Sequence, residues 1–479
     1  MRYLNQNYLN LKLRRGRVAV TSLLLLLLLI IGSLVEGISV QGSFWNGSIV
    51  SFGGGPASSA GNAADSRAKD PAAGKPTSAD PLTADPQPSI GDGSQSPNAA
   101  LSPAPLPSMP LGLPARANML AAPLQGIDSV IQRSIEESLL PGAVVLVARD
   151  GVIVKHDAYG YAELYVLPGV RHPDPTPAAR DTIYDLASLS KLFTATAVMQ
   201  LVERGSIDLN APVARYIPEF GVNDKAAVTV YQLLDHSSGL PEGLQLAKAG
   251  RTRDERLQTI FAAKLKFPSG TTRLYSDVGF ETLGALVERV SGMRLDEFVT
   301  REILVPLQMT DTMYNPPSSL FSRIAATETN QPSTRRAMIR GQVHDPDAYS
   351  LDGVAGNAGV FSTAHDLAVF AQMILNRGQY GGARVLSEKT VNQMLQLQSE
   401  SPNGEVSALG WDQNQAWYMG RLASRQAVGH TGYTGTSLVI DRASQTIVIL
   451  LTNRVHPTAR TNINKTRVDV ANAVANALR

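Results

Sequence analysis

The sequence of 479 residues contains no cysteine, and only 18% of its residues are charged, with 43 basic residues against 41 acidic ones. A chain without a thiol forms no disulfide, no thiolate zinc site, no iron–sulfur site and no cysteine nucleophile. The near balance of charge argues against a nucleic-acid-binding surface. The seven histidines include no H-E-x-x-H pair, so we expect neither a metal nor another cofactor.

The first 35 residues are typical of an export or membrane-anchor segment. Residues 1–17 carry five basic side chains and no acidic one, and residues 18–35 are uncharged and include the run Leu23–Leu29. A helix of that length spans ~27 Å, close to the ~30 Å hydrocarbon core of a bilayer. We therefore predict a cytoplasmic stub (1–17) and then either a retained signal anchor or the apolar core of a cleaved signal peptide (18–35). Both alternatives place the rest of the chain in the cell envelope or outside the cell.

The next stretch, residues 36–125, has a different composition. Thirteen of the 29 prolines lie between positions 51 and 125, among many Ala, Gly, Ser and Asp residues. Such a segment cannot bury enough apolar surface to fold, so we predict a disordered tether. Residues 126–479 have the texture of a globular domain. They exceed the ~250–300 residues at which a single core stops growing, so we expect two lobes.

The hydrophobic periodicity of 126–479 predicts strands near both ends and helices between them. The predicted strands pair across short turns, and they are Ala143–Ala148, Val152–Tyr159, Ser437–Ile440 and Thr446–Leu451. The predicted helices are Asp128–Leu139, 188–204, 253–264, 277–291, 295–304, 363–376, 387–396 and Thr461–Leu478. This order predicts an α+β fold, with an antiparallel sheet lobe flanked by helices and an inserted, mostly helical lobe.

The candidate chemistry starts at Ser188, which opens a predicted helix with the pattern S-x-x-K ending at Lys191. Residues three apart share a helix face, so the lysine lies one turn above the serine. A hydroxyl becomes a useful nucleophile when a neighbouring base takes its proton. The same pattern occurs at Ser66–Lys69, but inside the predicted tether; only Ser188 precedes an apolar-periodic helix.

Two further motifs follow in order: Tyr275-Ser276-Asp277, which begins 87 residues after Ser188, and His430-Thr431-Gly432, which begins 242 residues after it. With these three motifs the sequence resembles the superfamily of serine β-lactamases and penicillin-binding proteins. It is most similar to the class C β-lactamase-like branch, which also contains D-alanyl-D-alanine peptidases and esterases. The resemblance covers about 126–479 and implies the β-lactamase/transpeptidase-like fold.

The resemblance also implies a role for each motif residue. Ser188 would be the acylated nucleophile, and Lys191 and Tyr275 would share proton transfer, with the choice of base left open. The backbone N–H groups of Ser188 and Tyr433 would form the oxyanion hole. The substrate would contact four residues of the later motifs, namely Asp277, His430, Thr431 and Gly432.

Two positions depart from the β-lactam-hydrolysing members, which usually carry Asn at position 277 and Lys at position 430. Asp277 adds negative charge, and His430 is mostly neutral at neutral pH, so attraction for an anionic β-lactam weakens. We therefore expect hydrolysis of an ester or a D-peptide, with weak β-lactamase activity. Asp277 can hold Lys191 or a substrate amide and can also cap the helix that follows it, since the two roles can coexist. His430 can either contact substrate or serve only a structural turn.

These patterns predict a serine hydrolase that cleaves an ester or amide bond (D-peptide, ester or β-lactam) through an acyl-enzyme at Ser188. Its partner would be a small-molecule or peptidoglycan-derived substrate, with the membrane contacted through the N-terminal segment. The alternative is a penicillin-binding-type sensor with little or no turnover. The absence of a G-x-S-x-G motif argues against an α/β-hydrolase triad.

Overall fold

The computed structural model describes residues 109–328, 338–396, 399–400 and 406–479. The predicted stub, the predicted anchor and residues 36–108 of the predicted tether lie outside the described residues. Within the described ranges, no helix combines the length and the apolar character that crossing a bilayer requires.

An antiparallel sheet of nine strands forms the centre of the described part, in the order β3-β2-β1-β14-β13-β12-β11-β10-β9. Two smaller sheets have the orders β4-β6-β5 and β7-β8. The strands are β1 (Gly142–Arg149), β2 (Val152–Leu167), β3 (Val170–Pro177), β4 (Tyr184–Asp185), β5 (Met313–Tyr314), β6 (Val360–Ser362), β7 (Gln379–Tyr380), β8 (Ala383–Arg384), β9 (Ser399–Glu400), β10 (Val406–Ala408), β11 (Trp411–Gln413), β12 (Ala427–Thr431), β13 (Ser437–Asp441) and β14 (Thr446–Thr452).

Helices cover both faces of the large sheet and fill the inserted lobe between β4 and β9. They are α1 (Ala121–Glu136), α2 (Ser190–Glu203), α3 (Val230–Leu234), α4 (Leu246–Ala249), α5 (Arg253–Phe261), α6 (Asp277–Ser291), α7 (Leu295–Val299), α8 (Pro346–Ser350), α9 (Ala364–Leu375), α10 (Glu388–Leu395), α11 (Ala416–Met419) and α12 (Asn464–Ala477). A π-helical turn, Thr300–Leu304, extends α7.

Strand β1 shows how the layers meet. Val144 and Leu146 belong to the apolar cluster that contains α2 and α9, whereas Val145 and Val147 belong to the cluster that contains α1 and α12. Because both faces are buried, β1 reads as an unbroken apolar run instead of an alternating one. The predicted fold, an antiparallel sheet lobe with flanking helices and an inserted helical lobe, is confirmed.

The fold begins earlier than the predicted boundary at residue 126. Met119 and Leu124 are buried in the core, and helix α1 starts at Ala121, not at Asp128, and ends at Glu136. Pro123 lies in the first turn of α1, where backbone N–H groups have no partner within the helix, so proline is tolerated there. Residues 109–125 were predicted to belong to the tether because this region is rich in proline, but a proline in the first turn does not prevent a helix.

The small sheet of β4, β5 and β6 carries the chain into the inserted lobe. Tyr184 pairs with Ser362, and Asp185 pairs with Phe361. Strand β4 ends three residues before Ser188, so this sheet fixes where the serine enters helix α2.

Candidate active site

Ser188 lies in a short 3-10 turn, Ala187–Leu189, between β4 and α2. The turn starts at Ala187, whose φ of +47° is in the left-handed region that side chains rarely adopt. The backbone N–H of Ala187 donates to Oδ1 of the buried Asp185 at 2.9 Å and so holds this conformation. The strained turn leaves Ser188 partly exposed while its two neighbours are buried, a combination typical of functional positions.

Lys191 lies one turn after Ser188, and its side chain is fully buried. Its Nζ donates to Oδ1 of Asp277 at 2.6 Å and to the carbonyl of Asn357 at 3.1 Å. Burial lowers the pKa of Lys191, but electrostatic attraction to Asp277 and Tyr275, with the hydrogen bond to Asp277, outweighs it and raises that pKa above its usual value. Lys191 is therefore an ammonium ion at neutral pH.

Tyr275 lies between the nucleophile and the lysine, because it lines the same pocket as Ser188 and its ring centre lies 4.9 Å from Nζ of Lys191. Burial raises the pKa of Tyr275 to about 12; Lys191 opposes this shift, and Asp277 adds to it. The ring of His236 lies 4.7 Å from the Tyr275 ring, between centres, and is tilted against it; its Nδ1 accepts the backbone N–H of Ser276 at 3.1 Å. His236 thus fixes the loop that presents Tyr275.

Helix α6 begins just after Tyr275, and its N-cap tests one of the roles predicted for Asp277. The N-cap is Ser276, whose Oγ accepts the backbone N–H of Gly279 at 3.0 Å. Asp277 therefore does not cap the helix. Its carboxylate pairs with Lys191 instead, and its side chain is 30% exposed.

A pocket of about 470 Å³ opens in front of Ser188 and Tyr275. Its lining residues are Ser188, Arg273, Tyr275, Asp412, Gln415, Trp417, His430, Thr431, Gly432, Tyr433, Arg454, Asn464 and Arg467. Six of the eight predicted site residues line this pocket, while Lys191 and Asp277 lie behind Ser188 and Tyr275. A larger cavity of about 1080 Å³ lies beside α10 and β12, but none of its described lining residues is a serine, threonine or tyrosine.

The turn after β12 is bound to the backbone that leads into Ser188. Oγ1 of Thr434 donates to the carbonyl of Asp185 at 2.7 Å, and Oγ1 of Thr436 donates to the carbonyl of Leu186 at 2.9 Å. A Cβ at Gly432 would lie 2.1 Å from Thr436 Oγ1 and 2.4 Å from the Leu186 carbonyl oxygen. Only glycine fits this approach, which brings the backbone of Tyr433 alongside the nucleophile turn, as an oxyanion hole requires.

Replacing Gly432 by alanine is expected to push this turn away from the nucleophile. The loss of one oxyanion donor lowers kcat by about 10²–10³-fold, and we expect a loss of that size for Gly432→Ala. Steady-state kinetics on a p-nitrophenyl ester measures it. The matched control is Gly126→Ala, because a Cβ at Gly126 meets nothing within 4 Å; equal kcat in the two variants would contradict this role for the turn.

His430 is 96% buried at the edge of the pocket, and its Nδ1 lies 2.8 Å from the carbonyl oxygen of Thr431. Burial lowers the pKa of His430, while Asp412 pulls it up and Lys191 pulls it down. The imidazole is therefore neutral at neutral pH. It lacks the positive charge that the lysine of β-lactam-hydrolysing members provides.

Three arginines supply positive charge elsewhere in the pocket, and the sequence analysis did not single them out. Arg273 lies 3.7 Å from Asp412, whereas Arg454 donates to the carbonyl of Thr461 and Arg467 donates to the carbonyls of Gly432 and Thr436. Burial lowers the pKa of Arg467 to about 10, and repulsion from Arg454 adds to that shift. Two neighbouring guanidinium groups thus keep their charge while donating to neutral carbonyl oxygens.

Two aromatic side chains at the pocket are unusually exposed. Trp417 is 42% exposed, and its Nε1 donates to Oε1 of Gln415 at 3.0 Å. Tyr433 is 56% exposed and lies against Arg454, 4.7 Å from the guanidinium, and against His344, 5.7 Å between ring centres. Tyr433 was predicted from the motif that it follows, but only for its backbone N–H. No local motif marks Trp417, Arg454 or Arg467, because their segments meet only in the folded chain.

Residues 127–473 match the protein family described as Beta-lactamase. The chain is 35% identical over 363 residues to a Bacillus subtilis protein named N-acetylmuramyl-L-alanine amidase, covering 70% of this chain and 81% of that protein. It is 36% identical over 372 residues to a Salmonella agona protein named "Putative D-alanyl-D-alanine carboxypeptidase", covering 71% of this chain and 85% of that one. The chain therefore belongs to the β-lactamase family of serine hydrolases, and the predicted resemblance is confirmed.

A solved structure of a class C β-lactamase from Rhodobacter sphaeroides shares the fold. The TM-score is 0.59 at 22% identity, with 73% of this chain and 98% of that chain covered. At this level of identity the likeness concerns the fold alone.

Proposed function

We propose that this chain is a cell-envelope serine hydrolase that cleaves an amide or ester bond through an acyl-enzyme at Ser188. The observation that carries the proposal is the chain of contacts from Ser188 to Tyr275 to Lys191 beside an open pocket. The basic and apolar pattern of residues 1–35 supports the envelope location.

The order of events follows from these contacts. The Oγ of Ser188 attacks the substrate carbonyl carbon and gives its proton to the oxygen of Tyr275, while Tyr275 passes its own phenol proton on to the Lys191–Asp277 pair. The backbone N–H groups of Ser188 and Tyr433 hold the oxyanion. The leaving amine or alcohol departs with a proton returned through Tyr275, and water then hydrolyses the acyl-enzyme by the same route.

The substrate class that we propose is a peptidoglycan fragment that carries a carboxylate. Arg454 and Arg467 offer charge for a carboxylate without a neutralising carboxylate among the groups they donate to. The exposed face of Trp417 suits the apolar face of a sugar ring. A guanidinium pair favours a peptide with a free terminus, as in the carboxypeptidase relative, and the exposed tryptophan favours a muramyl group, as in the amidase relative.

Replacing Arg454 by glutamine is expected to raise KM by about 10–100-fold for a D-Ala-D-Ala peptide with a free C-terminus, because a hydrogen bond to a charged group contributes about 1.5–3 kcal/mol. The same peptide with an amidated C-terminus provides the control, and its KM should change little. Measuring kcat and KM for both peptides tests this. An equal loss for both would show that Arg454 does not act through a carboxylate.

The substrate itself is tested by a panel run at one enzyme concentration. It contains nitrocefin, a short-chain p-nitrophenyl ester, a D-Ala-D-Ala peptide and an N-acetylmuramyl-L-alanyl peptide. We expect hydrolysis of the ester and of at least one peptidoglycan fragment, and weak turnover of nitrocefin because His430 is neutral. Rapid turnover of nitrocefin with none of the others would contradict the proposal.

A sensor that is acylated without turnover is the second candidate. The residues at positions 277 and 430 favour it, since both differ from those that the β-lactam-hydrolysing members usually carry. Intact-mass measurement after mixing with penicillin or with an ester distinguishes the two. A persistent adduct supports the sensor, and an adduct that disappears as product forms supports the hydrolase.

A further inference from the structure

The surroundings of Lys191 hold its amine as an ammonium ion. Nζ donates to Oδ1 of Asp277 at 2.6 Å and to the carbonyl of Asn357 at 3.1 Å, and it lies 4.9 Å from the centre of the Tyr275 ring. A lysine ammonium has three N–H donors and no acceptor. Lys191 can therefore accept the proton that starts from Ser188 only after giving one of its own away.

The group that can take that proton is the carboxylate at 2.6 Å. Other titratable groups face Lys191 and Asp277 from the neighbouring elements, namely Tyr275, His236, His430, Glu281, Asp345 and Asp347. Burial raises the pKa of each of the three acids, that of Asp347 to about 6, and lowers the pKa of both histidines. Among the described side chains, only Asp277 ion-pairs directly with Lys191.

We propose that Asp277 is the final proton acceptor during acylation. As the bond from Ser188 Oγ to the carbonyl carbon forms, the Oγ proton moves to Tyr275, the Tyr275 proton moves to Nζ of Lys191, and a proton of Nζ moves to Oδ1 of Asp277. The substrate carbonyl becomes an oxyanion, Lys191 keeps three protons, and Asp277 becomes a carboxylic acid. When the intermediate collapses, the protons return along the same path to the leaving nitrogen or oxygen.

This inference rests on the proposed function and changes its acid–base scheme. The asparagine that β-lactam-hydrolysing members usually carry here has no ionisable group and cannot serve as this acceptor. Asp277 acts through Lys191 and Tyr275 and does not line the pocket, so it is a positioning and proton-holding residue. Its signature is therefore the pH dependence of the rate.

Replacing Asp277 by asparagine is expected to move the acid limb of kcat/KM upward. In the wild type the carboxylate that lies 2.6 Å from Nζ is available as the acceptor. In Asp277→Asn the acceptor must be the neutral amine of Lys191. Amines titrate near 10.4, and burial lowers that value, so we expect the limb to move up by at least about 2 pH units and the rate at pH 7 to fall about 100-fold.

The matched control is Asp128→Asn. Asp128 pairs with Nζ of Lys155 at the same distance, 2.6 Å, and neither residue lines the pocket. This variant loses a lysine–aspartate pair of the same length outside the pocket, so its pH profile should match the wild type. Full-length wild type, both variants and Ser188→Ala are assayed from pH 4 to pH 10 with p-nitrophenyl butyrate, and thermal unfolding confirms that each is folded.

The outcomes separate this inference from the proposed function. Turnover by Ser188→Ala at the wild-type rate overturns the proposed function. Loss of turnover in Ser188→Ala together with an unmoved acid limb in Asp277→Asn overturns the role of Asp277 alone. If Asp277→Asn does not fold, measurements on the wild-type enzyme alone still test the proton relay. A curved dependence of the wild-type kcat/KM on the D₂O fraction supports several moving protons, whereas a straight line overturns the relay.

Discussion

Replacing Ser188 by alanine should lower kcat for esters and peptides by about 10⁴-fold or more, since loss of a serine nucleophile removes the covalent route and leaves only binding and the oxyanion hole. Labelling of the protein by an active-site phosphonate should vanish as well. Because Ser188 is partly exposed and its neighbours form the core, the variant should fold normally. Chromogenic ester assays and intact-mass measurement check the two expectations.

The control for this variant is Ser291→Ala, which deletes a hydroxyl at the far end of α6. It should retain wild-type kcat and full phosphonate labelling. Turnover that survives in Ser188→Ala, or labelling that moves to another residue, would show that a different group carries the reaction.

Replacing Lys191 by methionine should be costly for both catalysis and stability. The change removes the only described link between Tyr275 and Asp277, so we expect kcat to fall by about 10³-fold, within the range of general acid–base contributions. It also leaves Asp277 without its cation. Breaking a buried ion pair costs about 3–5 kcal/mol, and because Asp277 is 30% exposed we expect the free energy of unfolding to fall by about 2–3 kcal/mol.

The double variant Lys191→Met/Asp277→Asn separates the two effects. Removing both charges avoids the isolated carboxylate, so the free energy of unfolding should recover to within about 1 kcal/mol of the wild type, whereas kcat should not recover. Denaturant unfolding and ester kinetics measure the cycle, with Lys155→Met as a control that breaks a pair outside the pocket. A double variant no more stable than the single one would mean that the Lys191–Asp277 pair is not the source of the loss.

The periodic segments of the fold could be predicted from the sequence. Helix α6 has the predicted bounds, because Ser276 caps it and Gly292 with a φ of +71° ends it. The strand pairs at both ends of the domain were also predicted, because β1 and β14 have enough apolar residues to be recognised without their partners. Such elements are determined by local signals.

Other elements could not be predicted, because the tertiary context creates them. Strand β3 contains three prolines and no alternating pattern, yet it forms because an edge strand needs only one hydrogen-bonded side. Strand β2 runs past its predicted end at Tyr159 because Gly160, with a φ of +62°, bends it close to the carbonyl of Pro141. Strands β10 and β11 span three residues each, too few for a periodic signal.

The candidate site divides in the same way. Its motif residues were predicted because Ser188, Tyr275 and His430 each lie in short motifs with a known chemistry. The arginines were not predicted, because Arg454 and Arg467 lie on segments before and within α12 that carry no motif of their own. The weak attraction expected for an anionic substrate was inferred from positions 277 and 430 alone. The guanidinium groups of Arg454 and Arg467 add positive charge to the same pocket.

The central claim, a transient acyl-enzyme at Ser188, is tested most directly by rapid-quench intact-mass measurement of the full-length chain with a p-nitrophenyl ester. We predict that one acyl group is added within the first turnover, that peptide mapping locates it on Ser188, and that it disappears at the rate at which the acid product forms. An adduct on another residue, or product formation without any adduct, would contradict the account. An adduct on Ser188 that persists would assign the protein to the sensor class instead.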